Sequence, residues 1–255
     1  MAIAHTNAFL MLKERNQALL DSVVLLCQAV PALKAYIKAV EKGAAEKLPD
    51  SDHFKGDQDH ERLRSIARSY RENLGKMVLL STASYFEAYF HELVDEFFSF
   101  HGGVEALIDL AEKRRASSIS NTDELARKAR NKLSEVAKRG KEDKYEKCTR
   151  ELREMGFVLP SSWMGPYGLR TLHERAKNAR LVDVPDILRY GLAVPLCEAE
   201  VSEFHRLRGK RNDAAHGKLA SYALKEALSA NKYYRALALK ADRHMIEYLF
   251  LSESP

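Results

Sequence analysis

Only three cysteines occur in 255 residues and none belongs to a CxxC pair, so neither a disulfide framework nor a zinc ribbon holds this chain together. Cys27, Cys148 and Cys197 lie far apart and read as ordinary buried or half-buried thiols. Seven prolines and twelve glycines are too few for a collagen-like or disordered chain, and no internal repeat or low-complexity tract is present. No segment alternates polar and apolar residues with period two, so almost no sheet is expected. An unbroken apolar run of ~18 residues is missing, and the N-terminus "MAIAHTNAFLMLKERNQ" has no basic leader ahead of an apolar core. A cytoplasmic protein without membrane contact is expected. His53 and His60 share a loop with no third ligand at metal-binding spacing, so neither a metal nor a cofactor is expected.

What is present is helix. Residues 3–42 repeat apolar side chains at three- and four-residue steps and read as one long helix or two broken at Pro31. A loop rich in Gly, Pro, Asp and Ser follows, then a helix over 58–100 that ends at "HGG". Its second half places Leu79, Ala83, Phe86, Phe90, Leu93 and Phe97 on one stripe, as a core-facing helix requires. Glu87 sits on the shoulder of that stripe, where a carboxylate needs a cation or a proton. Shorter basic helices follow, one with a possible capping box at Asn121 and Glu124. The segment "FVLPSSWMGPYG" reads as a packed turn, and two long helices, over 195–217 and about 221–250, close the chain. The expected architecture is one all-α domain over 1–255, an antiparallel helical bundle. It comprises an N-terminal helical extension (1–57), core helices (58–100 and 195–250) and a basic helical insertion (101–194).

The formal charge is +5, and its distribution is uneven. Between Lys113 and Arg153 basic residues outnumber acidic ones two to one, which suits either a solvated helical face or a surface that holds phosphates. Arg127, Lys128 and Arg130 are the candidates there for binding a polyanion.

The heptapeptide "RNDAAHG", 211–217, carries the chemistry. Arg211 continues the apolar line of Val201, Phe204 and Leu207, since residues seven apart differ by only about 20° on a helix. A guanidinium at the edge of a core needs an anion, and Glu87 is the internal candidate. The free edge of its planar fork then suits a phosphate. His216 stands where Gly217 ends the helix, and histidine is the side chain suited to taking and giving a proton near neutral pH. A base, an acid and a cation without a metal fit attack of a ribose 2'-hydroxyl on the adjacent phosphodiester. One chain supplies a single such histidine; a two-fold pair supplies two.

"RNDAAHG" resembles the R-N-x-x-x-H signature of the HEPN superfamily (higher eukaryotes and prokaryotes nucleotide-binding). "LLSTASYFEAYFHEL" is similar to the first core helix of its ribosome-associated and defence-type members, in which an acidic residue occupies a place like that of Glu87. The resemblance covers roughly 61–100 and 195–250. It implies a metal-independent endoribonuclease that works as a homodimer, often as a toxin or an anti-phage effector with a neutralising or defence-system partner. The roles implied are His216 as acid and base, Arg211 as stabiliser of the phosphorane, Asn212 as orienting residue and Glu87 as the group that positions Arg211. Lys210, Lys218 and Arg208 join the basic segment as candidates for holding RNA. A non-catalytic HEPN module that binds a nucleotide, RNA or a protein is the alternative.

Overall fold

The computed structural model describes residues 4–49, 60–118, 124–133 and 142–253. Its elements are α1 (Asn7–Glu41), α2 (His60–Phe100), α3 (Val104–Ser118), α4 (Glu124–Leu133) and α5 (Glu142–Glu154). They continue with α6 (Pro160–Trp163), α7 (Pro166–Lys177), α8 (Val184–Asp186), a π-helical turn (Ile187–Gly191), α9 (Glu198–Ala215) and α10 (Leu224–Tyr248). No strand occurs among the described residues, so the all-α reading stands. The possible capping residue Asn121 lies outside the described residues.

The central element is α2. Its expected stripe is fully buried from Leu79 to Phe97, and each such Leu or Phe contributes about 1.5–3 kcal/mol relative to an exposed one. It ends as glycine ends a helix, with Gly102 and Gly103 at φ 81° and 104°. Along one side runs α1, antiparallel to it, with Arg15 paired to Glu92 near one end and Arg64 to Glu41 near the other. Along another runs α10, in the same direction as α2: Thr82 meets Asn231, and the Tyr89 hydroxyl donates to the Ala238 carbonyl at 2.9 Å. The fourth long helix, α9, is antiparallel to α10, with Glu200 holding Lys240 at 2.8 Å while Phe204 meets Tyr234 edge to face. Long helices that pack on one another are therefore antiparallel except for the α2–α10 pair.

The first helix is continuous through Pro31 for 35 residues. Proline removes one amide donor there, and the long flanking helix, clamped at its start, absorbs the loss. Thr6 caps it, its hydroxyl accepting from the Phe9 amide. The buried Asp242 carboxylate of α10 takes the Thr6 amide at 3.0 Å, the Thr6 hydroxyl at 2.6 Å and His5 Nδ1 at 2.7 Å. Glu96 of α2 accepts the next two amides, of Asn7 and Ala8, both at 2.9 Å. Two carboxylates thus satisfy the donors that a helix start leaves open.

Contrary to the sequence expectation that no segment can cross a bilayer, α1 is long and apolar enough to do so by length and composition, although Asp21, Gln28 and Lys34 interrupt its apolar run. Much of its apolar surface faces outward: Val24 is 62% and Leu25 67% exposed.

The segment read as a packed turn contains two helix starts, Pro160 opening α6 and Pro166 opening α7, with Trp163 buried between them. In the basic region α4 packs on α5, and α5 packs on the π-helical turn just before α9 begins.

Candidate functional site

The site is built on the C-terminal end of α9. Glu200 accepts the Cys197 amide at 2.8 Å to start this helix. Burial works against the Glu200 carboxylate, yet Lys240 and that amide together hold its pKa below the ordinary range. Eighteen residues later the helix stops in a Schellman turn. Lys218 N donates to Asp213 O at 2.8 Å and Gly217 N to Ala214 O at 3.2 Å, while Gly217 adopts φ 69°. His216 is the C-cap residue, with φ −90° and ψ 8°, and its side chain is exposed. The turn removes it from the helical screw that its sequence spacing suggests.

One turn back, Arg211 is half-buried. Its Nη1 donates to the Asn212 side-chain oxygen at 3.2 Å, and its Nε is buried without a hydrogen-bond partner among the described residues. Arg208 Nε and the Tyr234 hydroxyl are in the same condition. Burial pushes the Tyr234 phenol well above its ordinary pKa, while the charges of Arg211 and Arg208 pull the other way, so these cations lie close to it. Behind them Phe86, Phe204 and Tyr234 form an aromatic floor, with ring centroids 5.7, 5.1 and 5.5 Å apart in the three pairs. Two buried cationic donors over an apolar floor favour an anion, because an unpaired buried charge is costly.

The pairing expected between Glu87 and Arg211 is not formed. Glu87 Oε1 accepts the Leu181 amide at 2.9 Å, which ties the loop after α7 to α2. The shoulder of the apolar stripe does need a donor for this carboxylate, and a main-chain amide supplies it. Arg211 therefore takes its own neighbour, Asn212.

The other candidates divide into two groups. Lys210 and Lys218 are exposed beside the motif, whereas Arg208 is half-buried and turns its Nε inward. Arg127 and Lys128 are exposed on α4, with Lys128 paired to Glu124 at 2.8 Å. The Arg130 side chain lies outside the described residues. Because α5 meets the π-helical turn at the foot of α9, the length of that helix, about 27 Å at 1.5 Å per residue, lies between that contact and His216. Among the described residues, no group of three or more His, Cys, Asp or Glu side chains is placed to hold a metal ion.

Sequence reasoning missed Tyr234 as a member of this site and read it only as part of an apolar face. It also missed Gly75. A Cβ there would stand 2.1 Å from the Tyr222 carbonyl oxygen, so the strand of chain leaving the motif crosses α2 in backbone contact. Lys76 Nζ fastens the same crossing to the Ala220 carbonyl at 3.2 Å. We expect Gly75→Ala to lower stability by about 1–3 kcal/mol through overpacking, with a lower urea midpoint as the measure. Gly209, whose Cβ would meet nothing within 4 Å, is the control: Gly209→Ala should be neutral or mildly stabilising.

A family model described as RiboL-PSP-HEPN matches residues 51–240, which include α2, the basic helices and the whole of "RNDAAHG". The match leaves out α1 and the end of α10. Comparison with curated proteins and with solved structures gave no significant match.

Proposed function

Because this chain belongs to the RiboL-PSP-HEPN family, we propose that it is a HEPN-type endoribonuclease whose active site forms where two copies meet. The observation that supports this most is the joint placement of Arg211 and His216 on one helix end. There the imidazole is free in solvent and the guanidinium keeps a buried donor unpaired.

The reaction is transesterification. The 2'-oxygen attacks the neighbouring phosphorus as a base removes its proton, and a phosphorane forms. Its bond to the 5'-oxygen then breaks as an acid protonates that oxygen, leaving a 2',3'-cyclic phosphate and a 5'-hydroxyl. Attacking and leaving oxygens lie on opposite sides of phosphorus, so one imidazole does not serve both. His216 from each of two chains does. Arg211 from either chain places its fork on the equatorial oxygens, where charge accumulates. Asn212 holds Arg211 in position. Glu87 acts one step further away by fixing the loop at Leu181. Lys210, Lys218 and the exposed Arg127 and Lys128 hold the RNA strand, and Arg130 belongs to the same basic helix.

Support for a homodimer comes from exposed apolar side chains. Met77 of α2 and Leu228 of α10 are exposed close to the crossing at Gly75 and Tyr222. Val24 and Leu25 of α1 are exposed as well. Apolar surface of this kind is what an isologous contact buries. A toxin or anti-phage role, cytoplasmic and under the control of a neutralising partner, belongs to the same reading.

Cleavage of single-stranded RNA by the purified protein in the presence of a chelator, with cyclic phosphate on the upstream product, tests the reaction. Cleavage that appears only with added magnesium contradicts it. One observation favours the alternative, an RNA- or nucleotide-binding module without catalysis: in the protomer Glu87 is engaged with Leu181 and Arg211 with Asn212. RNA bound as a dimer but left intact under all conditions would establish that alternative.

A further inference from the structure

A second site lies far from the motif, in a cleft of about 520 Å³ between α5, the end of α10 and the chain that leads into α9. That volume falls in the range of small-molecule pockets, about 300–1,000 Å³. One wall carries two cations, Arg150 and Arg153, with the Glu154 carboxylate beside them. Arg150 and Arg153 stand one turn apart on α5, and the Arg153 guanidinium lies over the Tyr248 ring, 3.5 Å from its centroid. This contact, to which a side-chain hydrogen bond with Tyr248 adds, holds the guanidinium in place while its remaining N–H groups can donate. No carboxylate forms an ion pair with Arg153 among the described residues, while Arg150 has only Glu154, at 4.0 Å. The facing wall is apolar, from Val158, Ala193 and Pro195.

The floor is His244, whose Nε2 lies 3.1 Å from the Leu192 carbonyl. Burial first, and then the charge of Arg153, hold this imidazole down to a pKa of about 4, so the ring is neutral. Donation from Nε2 fixes the tautomer and leaves Nδ1 as an acceptor.

The backbone of the wall is unusual too. Ala193 is the one described non-glycine residue at positive φ, 55°, and it stands two residues after the end of the π-helical turn. Left-handed alanine is strained, and π turns recur at binding sites. The strain is held in place by the Val194 amide, which reaches back to Leu188 O at 2.9 Å.

From these features the geometry points to a binding site for a small organic phosphate that carries an apolar ring. Its phosphate lies on the paired guanidiniums of Arg150 and Arg153, and its ring lies against Val158, Ala193 and Pro195. A hydroxyl or amine on the ring donates to His244. The site is independent of Arg211 and His216, and His244 and Tyr248 fall outside the residues matched by the family model.

Calorimetric titration of the full-length protein with phenyl phosphate, inorganic phosphate and benzyl alcohol tests it. Phenyl phosphate should bind at one site per chain, at least about tenfold more tightly than either fragment. Arg153→Gln should weaken it by about tenfold or more. Val158→Glu, at an exposed position where folding is not at stake, should do the same by placing a negative charge at the rim. Arg211→Gln should leave it unchanged. Failure of phenyl phosphate to bind, equal affinity for inorganic phosphate, or loss of binding in Arg211→Gln but not in Val158→Glu would each overturn the proposal.

Discussion

Replacing His216 with alanine should lower RNA cleavage by roughly 10³- to 10⁴-fold and leave helical content and oligomeric state as they were. The size of the effect follows from the proposed geometry. In a symmetric pair the substitution removes both the group that deprotonates the 2'-hydroxyl and the group that protonates the leaving 5'-oxygen, and acid–base catalysis of this kind is worth about 10²–10⁴-fold. The absence of a structural effect follows from the fold. His216 is an exposed C-cap whose hydrogen bond within the protein runs through its main-chain amide, to Asn212 O at 2.9 Å, and alanine keeps that amide. Gel-resolved cleavage rates with matched circular dichroism spectra check both halves. Undiminished cleavage by a correctly folded variant would remove His216 from the chemistry.

Arg211→Ala should cost about 10²–10³-fold, expressed in kcat rather than KM, because the guanidinium is required where charge develops on the phosphorane. Arg211→Lys should recover only a small part of the loss. An ammonium keeps the charge but lacks the planar fork, and it leaves Asn212 without its partner at 3.2 Å. Stability should hardly fall in Arg211→Ala, since the substitution also removes a buried Nε that has no partner among the described residues. Single-turnover kinetics beside thermal melting separates these outcomes. A loss confined to KM would make Arg211 a residue that only holds RNA.

The parts of the fold that were legible in the sequence are those set by periodicity and by helix-ending residues. The stripe from Leu79 to Phe97 repeats at helical spacing in a run long enough to exclude a strand, and the glycines at 102, 103 and 217 mark helix ends because each adopts a left-handed φ. Long-range partners were not legible. The sequence shows that Glu87 needs a donor, but the donor is the amide of Leu181, and main-chain amides look alike in every sequence. The clamp of Asp242 on Thr6 joins residues 236 apart, so no local pattern announces it. The left-handed Ala193 and the π turn before it sit where the chain packs against α5 and α7, for which alanine is no signal.

The candidate site followed the same division. Arg211 and His216 were found because their spacing and the glycine after them are local. Tyr234 was read as core because its ring is core; only its hydroxyl, buried near Arg208 and Arg211, belongs to the site. Arg208 was read as a surface contact for RNA, yet the helical turn that exposes Lys210 brings Arg208 inward.

The central claim is that one scissile phosphate is served by two histidines from two chains. Its most direct test is a covalently tethered dimer in which one half carries His216→Ala and the other half is unchanged. If the two imidazoles act at a single site, the tethered hybrid should be nearly as inactive as the dimer with both halves substituted. A hybrid that retains about half the activity of the unsubstituted tethered dimer would show that each chain cleaves by itself, and the account would be wrong.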